Sequence, residues 1–278
     1  MQHHLTREPR VSSLALKLAK YTAVGSITIR NNLAYIYDFM IRSLFLIVIL
    51  YVFIQLWSVT YDSVGTTRIA GYTFEQIIWY LIFAEAFVLA APKVSLKVEE
   101  EVLKGDIGYQ LTRPMNYLLF HYASYMGEAL VRVAINLVIG GLLGLLLFGW
   151  PDFGLGWLGF LIMMIGSYTL HYLITMLVGL CALWVEEVRG IDFVYNKLLF
   201  TIGGMMIPLE MMPDTLQRVC EFLPFQAIVY FAAKTAVQFD AWAMLNMIGI
   251  QALWALLIAL ILTVMYAKGV KKLNVNGG

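Results

Sequence analysis

The chain has 278 residues, of which 61% are hydrophobic and only 13% charged, with a mean hydropathy of +0.77. A soluble domain carries about 25% charged residues, so this composition excludes an ordinary soluble fold and points to a polytopic membrane protein. A net charge of +1 excludes a broad basic surface for nucleic acid.

Residues 1–12 are polar, and His3 and His4 have no partners that would make them ligands. No apolar run opens the chain, so no cleavable signal peptide is expected. Residues 11–30 set Leu14, Leu18 and Tyr21 among Lys17, Lys20 and Arg30, which predicts a basic amphipathic helix at the cytoplasmic headgroups. Hydropathy then predicts six spans in one all-α membrane domain, at residues 39–59, 73–91, 127–148, 157–184, 191–207 and 242–267. Asp38 and Arg42 are spaced to pair at the start of the first span. Gly140 and Gly144 form a G-x-x-x-G step that suits close helix packing.

Residues 92–114 make the longest polar connection between spans on the basic side. Pro92 suits a first helical turn, and Val94, Val98 and Val102 recur every four residues. Glu99, Glu100, Glu101 and Lys104 fill the other faces, and Gly105 suits a helix stop. Residues 106–114 read as a turn and extended segment, because Gly108 loosens the backbone and Pro114 disfavours helix at Arg113. A tight turn follows at Trp150, Pro151 and Asp152, and a second at Glu186, Glu187 and Arg189.

Before the last span, Pro208, Pro213 and Pro224 divide residues 208–241 into pieces too short to cross a bilayer. One piece puts Leu216, Val219 and Cys220 on one face and Asp214, Gln217, Arg218 and Glu221 on others. The segment reads as a re-entrant or interfacial helical hairpin on the outer side, with Phe225 after its last proline. Of 19 Lys and Arg, only Arg68, Arg218 and Lys234 fall on that side, so the positive-inside rule puts both termini in the cytoplasm. Cys181 and Cys220 then lie at opposite faces, and no disulfide between them is expected.

Ionisable groups inside a bilayer need partners or a wet cavity. Glu85, Glu128 and Arg132 lie at similar depth and suggest either a Glu85–Arg132 or a Glu128–Arg132 pair, as packing or as a gate. Lys197 can snorkel, and Asn136 and Asn196 can bond across helices. His171, Met205 and Met206 are candidates for a substrate path, against a plain packing role. The sequence has no G-x-x-x-x-G-K-[ST] loop, H-E-x-x-H or C-x-x-C, so neither a nucleotide-phosphate site nor a metal site is expected on the chain.

Two stretches carry a resemblance, VLKGDIGYQLTRPMNYLLFHYA at 102–123 and PLEMMPDTLQRVCEFLPFQAIVYF at 208–231. With the order of spans, they resemble the permease subunit of type-2 ABC exporters, closest to the viologen or multidrug exporter-like branch. The resemblance implies a bacterial inner-membrane permease that binds no cofactor itself. It would pair with a second copy or a paralogue and be driven by cytoplasmic ABC ATPase subunits that hold ATP and Mg. It implies that Val98, Val102 and Leu103 dock on the ATPase while Glu99, Glu101, Lys104 and Asp106 fix register. Arg113 and Pro114 would carry the push into the third span. The family often has a proline where this chain reads Phe231, Ala232 and Ala233, so the end of the hairpin is expected to be more continuously helical. An amphipathic or lipid-like substrate suits the aromatic and Met-rich spans. A secondary transporter, an intramembrane lipid-modifying enzyme and a non-transporting scaffold are the alternatives. The first would want inverted repeats, and the second clustered polar groups at one depth.

Overall fold

A computed structural model describes residues 13–185 and 187–276. The expectations for His3, His4, the first two residues of the amphipathic helix and Glu186 lie outside these residues. The described chain folds as α1 (Ser13–Ala34), α2 (Ile36–Val64), α3 (Phe74–Ala90), α4 (Val94–Leu103), α5 (Asp106–Leu111), α6 (Tyr117–Phe148), α7 (Gly156–Leu180), α8 (Arg189–Ile202), α9 (Asp214–Glu221), α10 (Tyr230–Val237) and α11 (Ala241–Asn276). Short 3-10 turns follow α7, precede α9 and precede α10. No strand occurs among the described residues.

Five stretches are long and apolar enough to cross a membrane: Ile36–Val64, Phe74–Leu103, Tyr117–Phe148, Gly156–Leu183 and Ala241–Leu273. The segment expected to cross at 191–207 is instead α8, with 14 residues. That is about 21 Å of helix, against a hydrocarbon core of about 30 Å. Its end is set by Gly203 and Gly204. Gly204 has φ +77, and an added Cβ would lie 2.7 Å from the Tyr230 Cβ. A left-handed glycine in close contact with α10 stops the helix where the sequence suggested continuation.

α3 is the hub of the bundle. Every residue from Ile77 to Phe87 is buried. Its stretch has 78% of its apolar window inside the protein, against 17% for α2 and 17% for α11, so those two present their apolar faces outward. A Thr73–Gln76 capping box starts α3, and α2, α6 and α10 pack around it. Rings from the α7 side complete the core. Phe83 meets Phe160 at 4.6 Å, and Phe87 stacks on Tyr168 at 4.2 Å.

Several local expectations change. Among the described residues no ion pair joins Asp38 to Arg42. Residues 106–111 form a short helix rather than an extended segment, because Gly105 at φ +77 reverses the chain and buries Ile107. The amphipathic N-terminal helix runs on to Ala34 and crosses α6, where Thr28 Oγ1 bonds Ser124 Oγ at 3.3 Å. As expected, in contrast, α10 runs unbroken through Phe231, Ala232 and Ala233.

The glycine step packs on α3. A Cβ at Gly140 would sit 2.9 Å from Ile82, and one at Gly144 would sit 2.8 Å from Trp79. Gly141, between them, has nothing within 4 Å of its Cβ position. Gly144→Leu should therefore destabilise the protein by about 1–3 kcal/mol, as overpacking does. Gly141→Leu should be neutral or slightly stabilising. Thermal unfolding of both variants in detergent checks this, and equal losses would remove the packing role.

Candidate functional site

Among the described residues, Lys93, Lys97, Lys104, Arg113, Arg189 and Lys272 lie on or beside α4, α5, the start of α8 and the end of α11, which together form a basic end of the bundle. α4 is ten residues long and amphipathic, so one face must find cover. It finds that cover on its own chain. Val94 and Val98 are buried and Val102 is partly buried against the end of α7 and the turn after it. A Cβ on Gly179 would lie 2.9 Å from Val98 Cβ, so α4 approaches α7 at a residue with no side chain.

Two polar clamps fix this helix. Glu99 is buried, and its Oε1 accepts from the Val188 N–H at 2.7 Å, while Arg189 Nε is 3.8 Å from Oε2. Val188 is the N-cap residue of α8, where no side-chain cap is present, so Glu99 caps α8 from another helix. Ser95 donates to Asp192 in the first turn of α8. The second clamp is Glu101, also buried. Its Oε2 accepts from Tyr117 Oη at 2.7 Å and lies 3.1 Å from His121 Nε2. Tyr117 stacks on Tyr266 of α11 at 6.0 Å. Ser95, Tyr117 and His121 were missed in the sequence because their partners are 16 to 97 residues away.

The residues expected to meet an ATPase therefore separate. Val98, Glu99 and Glu101 are internal and hold α4 to the bundle. Leu103, Lys104, Asp106, Arg113 and Pro114 are exposed, together with Glu100 and Tyr109. Lys104 pairs with Glu100, and the Arg113 guanidinium lies 5.2 Å from the Tyr109 ring centre and 5.8 Å from that of Phe120.

Within the bundle Arg132 pairs with Glu128 on its own helix, not with Glu85, and sits 5.4 Å from the Phe39 ring centre. Glu85 is buried, and its Oε2 has no hydrogen-bond partner. Asn136 reaches across to the Ala86 carbonyl at 3.2 Å, while Asn196 bonds Asp192 within α8. Lys197 lies over Phe193 and Phe200. His171 is buried, with Nδ1 2.9 Å from Tyr125 Oη and rings of Phe87 and Tyr195 on its edges. Met205 and Met206 are half-buried in the irregular stretch after α8.

The far end holds the hairpin. Pro208 is buried, and Pro213 starts α9. Pro224 and Phe225 form a turn whose Phe225 ring lies 6.1 Å from Tyr195. Gln251 Nε2, ten residues into α11, donates to the Ala227 carbonyl at 2.9 Å and to Ser167 Oγ at 3.2 Å. Ten residues are about 15 Å, so the tip of the hairpin reaches half the depth of the bundle. The upper part is tied by Glu210, which bonds Lys234, Tyr230 Oη at 2.6 Å and Tyr72 Oη at 3.2 Å. The sequence signal for this anchor was an acid and a base on opposite arms of a proline-broken segment. Gln251 was legible as a lone amide in an apolar span.

Burial alone would raise the Glu210 carboxyl, but the Lys234 ammonium and the Tyr230 hydroxyl outweigh it and hold it below the ordinary carboxylate range. A depressed carboxylate contributes stability that is full above the unfolded value of about 4.3 and is lost as pH falls through the folded value. Wild type should lose stability in that acid window, and Glu210→Gln should flatten this limb. Unfolding midpoints against pH check it, and unchanged slopes would count against the anchor. Glu99→Ala should also cost about 1 kcal/mol by uncapping α8. Hydrogen exchange at the start of α8 should rise about fivefold, with Glu99→Gln between the two.

Residues 45–277 match the family described as ABC-2 family transporter protein. No curated protein matches the sequence. The family match spans α4, the hairpin and nearly all of the long apolar helices, so the chain belongs to the ABC-2 transporter family as a multi-pass membrane permease.

Proposed function

We propose that the chain is the membrane-spanning subunit of an ATP-driven exporter. The observation that carries this reading is the state of α4 and α5. Their inner face is committed to α7, α8 and α6, while Glu100, Leu103, Lys104, Asp106 and Tyr109 stay exposed at the basic end. Leu103 is 63% and Tyr109 67% exposed, which leaves two large apolar side chains for a partner among charges that set register. Family membership supports a cytoplasmic ABC ATPase as that partner. ATP and Mg belong to the ATPase, and this chain converts its movement into a change of access.

On this reading the basic end faces the cytoplasm of a bacterial cell, and the chain crosses the inner membrane six times. α8 provides the fifth crossing, and the hairpin fills the depth it leaves uncovered. A second permease, either a copy or a paralogue, covers apolar surface such as Phe193 and Val194 on α8. The viologen or multidrug exporter-like branch and an amphipathic or lipid-like substrate are the finer parts of the proposal.

Co-purification from the native host in mild detergent, with partners identified by mass, tests the class. An ABC ATPase should be recovered with wild type. Leu103→Asp should weaken that recovery by at least about tenfold while the permease still inserts, because a charge replaces an apolar anchor. Val98→Asp should instead lower the amount of folded permease, since its charge would be buried without a partner. Retention of the ATPase by Leu103→Asp would remove this docking surface. Repeated recovery of the chain alone would remove the exporter reading.

A further inference from the structure

A second polar feature lies beside α4 and shares only His121 with the clamps that hold it. A cavity of about 540 Å³ opens at the basic end between α2, the α3–α4 elbow and α6. Its charged side chains are Arg42, Lys93, Lys97, Glu128 and Arg132, with His121 beside them. Ser124 and Tyr125 of α6 complete its polar side, and the rest of the wall is apolar, from the end of α3 and the first turn of α4.

The charges in this cavity do not balance. Glu128 is its one carboxylate and is taken by Arg132. Arg42, Lys93 and Lys97 have no carboxylate within 4.0 Å among the described residues. Glu101, one turn beyond Lys97, is committed to Tyr117 and His121. Arg132 Nε is buried and has no hydrogen-bond partner. Three helices thus bring like charges into one concave site, where an anion would offset a repulsion that water and salt only screen. An anion lined on one side by cations and on the other by aliphatic side chains is amphipathic. The site lies where an apolar span meets the polar end of the bundle, at the level of lipid headgroups.

We propose that this cavity binds the phosphate of an anionic phospholipid headgroup. Arg42 and Arg132 present planar donors to its oxygens, and Lys93 and Lys97 supply compact charge. Two of the four cations belong to α4 or its N-cap, so the lipid touches the element that the exporter reading makes the coupling helix. Binding itself needs no ATPase, so its failure leaves the exporter reading intact.

The test uses the full chain in mild detergent, titrated with phosphatidylglycerol, phosphatidylcholine or inorganic phosphate, with binding read by native mass spectrometry. Phosphatidylglycerol should bind in preference to phosphatidylcholine. A cation near an anionic lipid surface contributes about fivefold, so Lys93→Gln with Lys97→Gln should weaken phosphatidylglycerol binding by about 25-fold. Both lysines are exposed, so this variant keeps the fold. Lys20→Gln with Arg30→Gln, on α1 and outside the cavity, should change binding by less than about twofold. Equal losses in the two double variants would reduce the effect to general surface charge and overturn the site. No preference over phosphatidylcholine would overturn it as well. Competition by inorganic phosphate at matching concentration would overturn the lipid as the source of the phosphate.

Discussion

A bilayer offers no hydrogen-bond partners, so every main-chain carbonyl freed by irregular backbone inside it must be met by the protein. Much of this structure follows from that constraint. α8 ends early, and the hairpin turns at half depth, so free carbonyls arise inside the bundle. Tyr80 donates to the Gly204 carbonyl and Gln251 to that of Ala227. The same device ties helices together elsewhere. Tyr168 reaches the Phe87 carbonyl at 3.2 Å, and Tyr61 reaches that of Tyr72 at 2.7 Å. Each donor is an amphipathic or amide side chain whose body packs in the core, so satisfaction and packing are achieved by one residue. The cost falls on the sequence, which must put a polar tip at one depth.

At the basic end the same logic operates between helices. α8 starts without a side-chain cap of its own, and Glu99 supplies one from α4. Charge is placed where the helix dipole favours it, and Ser95 with Asp192 adds a second tie in the first turn. Glu101 does the corresponding work toward α6 and α11. α4 is therefore part of the bundle's framework rather than a loop resting on it.

The sequence made the helical class, the valine stripe and the proline-broken hairpin legible, because each is a local pattern of period or punctuation. It did not say what the valine stripe covers. An amphipathic helix announces that one face is buried, not whether the cover comes from its own chain or from another. Val98, Glu99 and Glu101 looked like partner residues for that reason. The Gly203–Gly204 pair misled in the opposite sense. In an apolar run it reads as helix, and only contact with Tyr80 and Tyr230 shows why the backbone must turn there. Arg132 offered two carboxylates at one depth. The helical neighbour Glu128 won, because i,i+4 spacing fixes its position without any tertiary requirement.

These ties join the two ends of the molecule through α8. Its first turn is held by α4 through Glu99 and Ser95. Its middle places Tyr195 against Phe225 at the hairpin tip. The Gly203 carbonyl just beyond its end accepts from the Tyr230 N–H, the first residue of α10, at 3.2 Å. A displacement of α4 must then either carry the start of α8 with it or break the Glu99 cap. α8 is short and lies on few neighbours, whereas α3 and α7 are fixed by aromatic packing along their length. A displacement of α4 would therefore fall first on the helix that touches the hairpin rather than on the hub. One helix of about 21 Å thus joins α4 at one end of the molecule to the hairpin at the other.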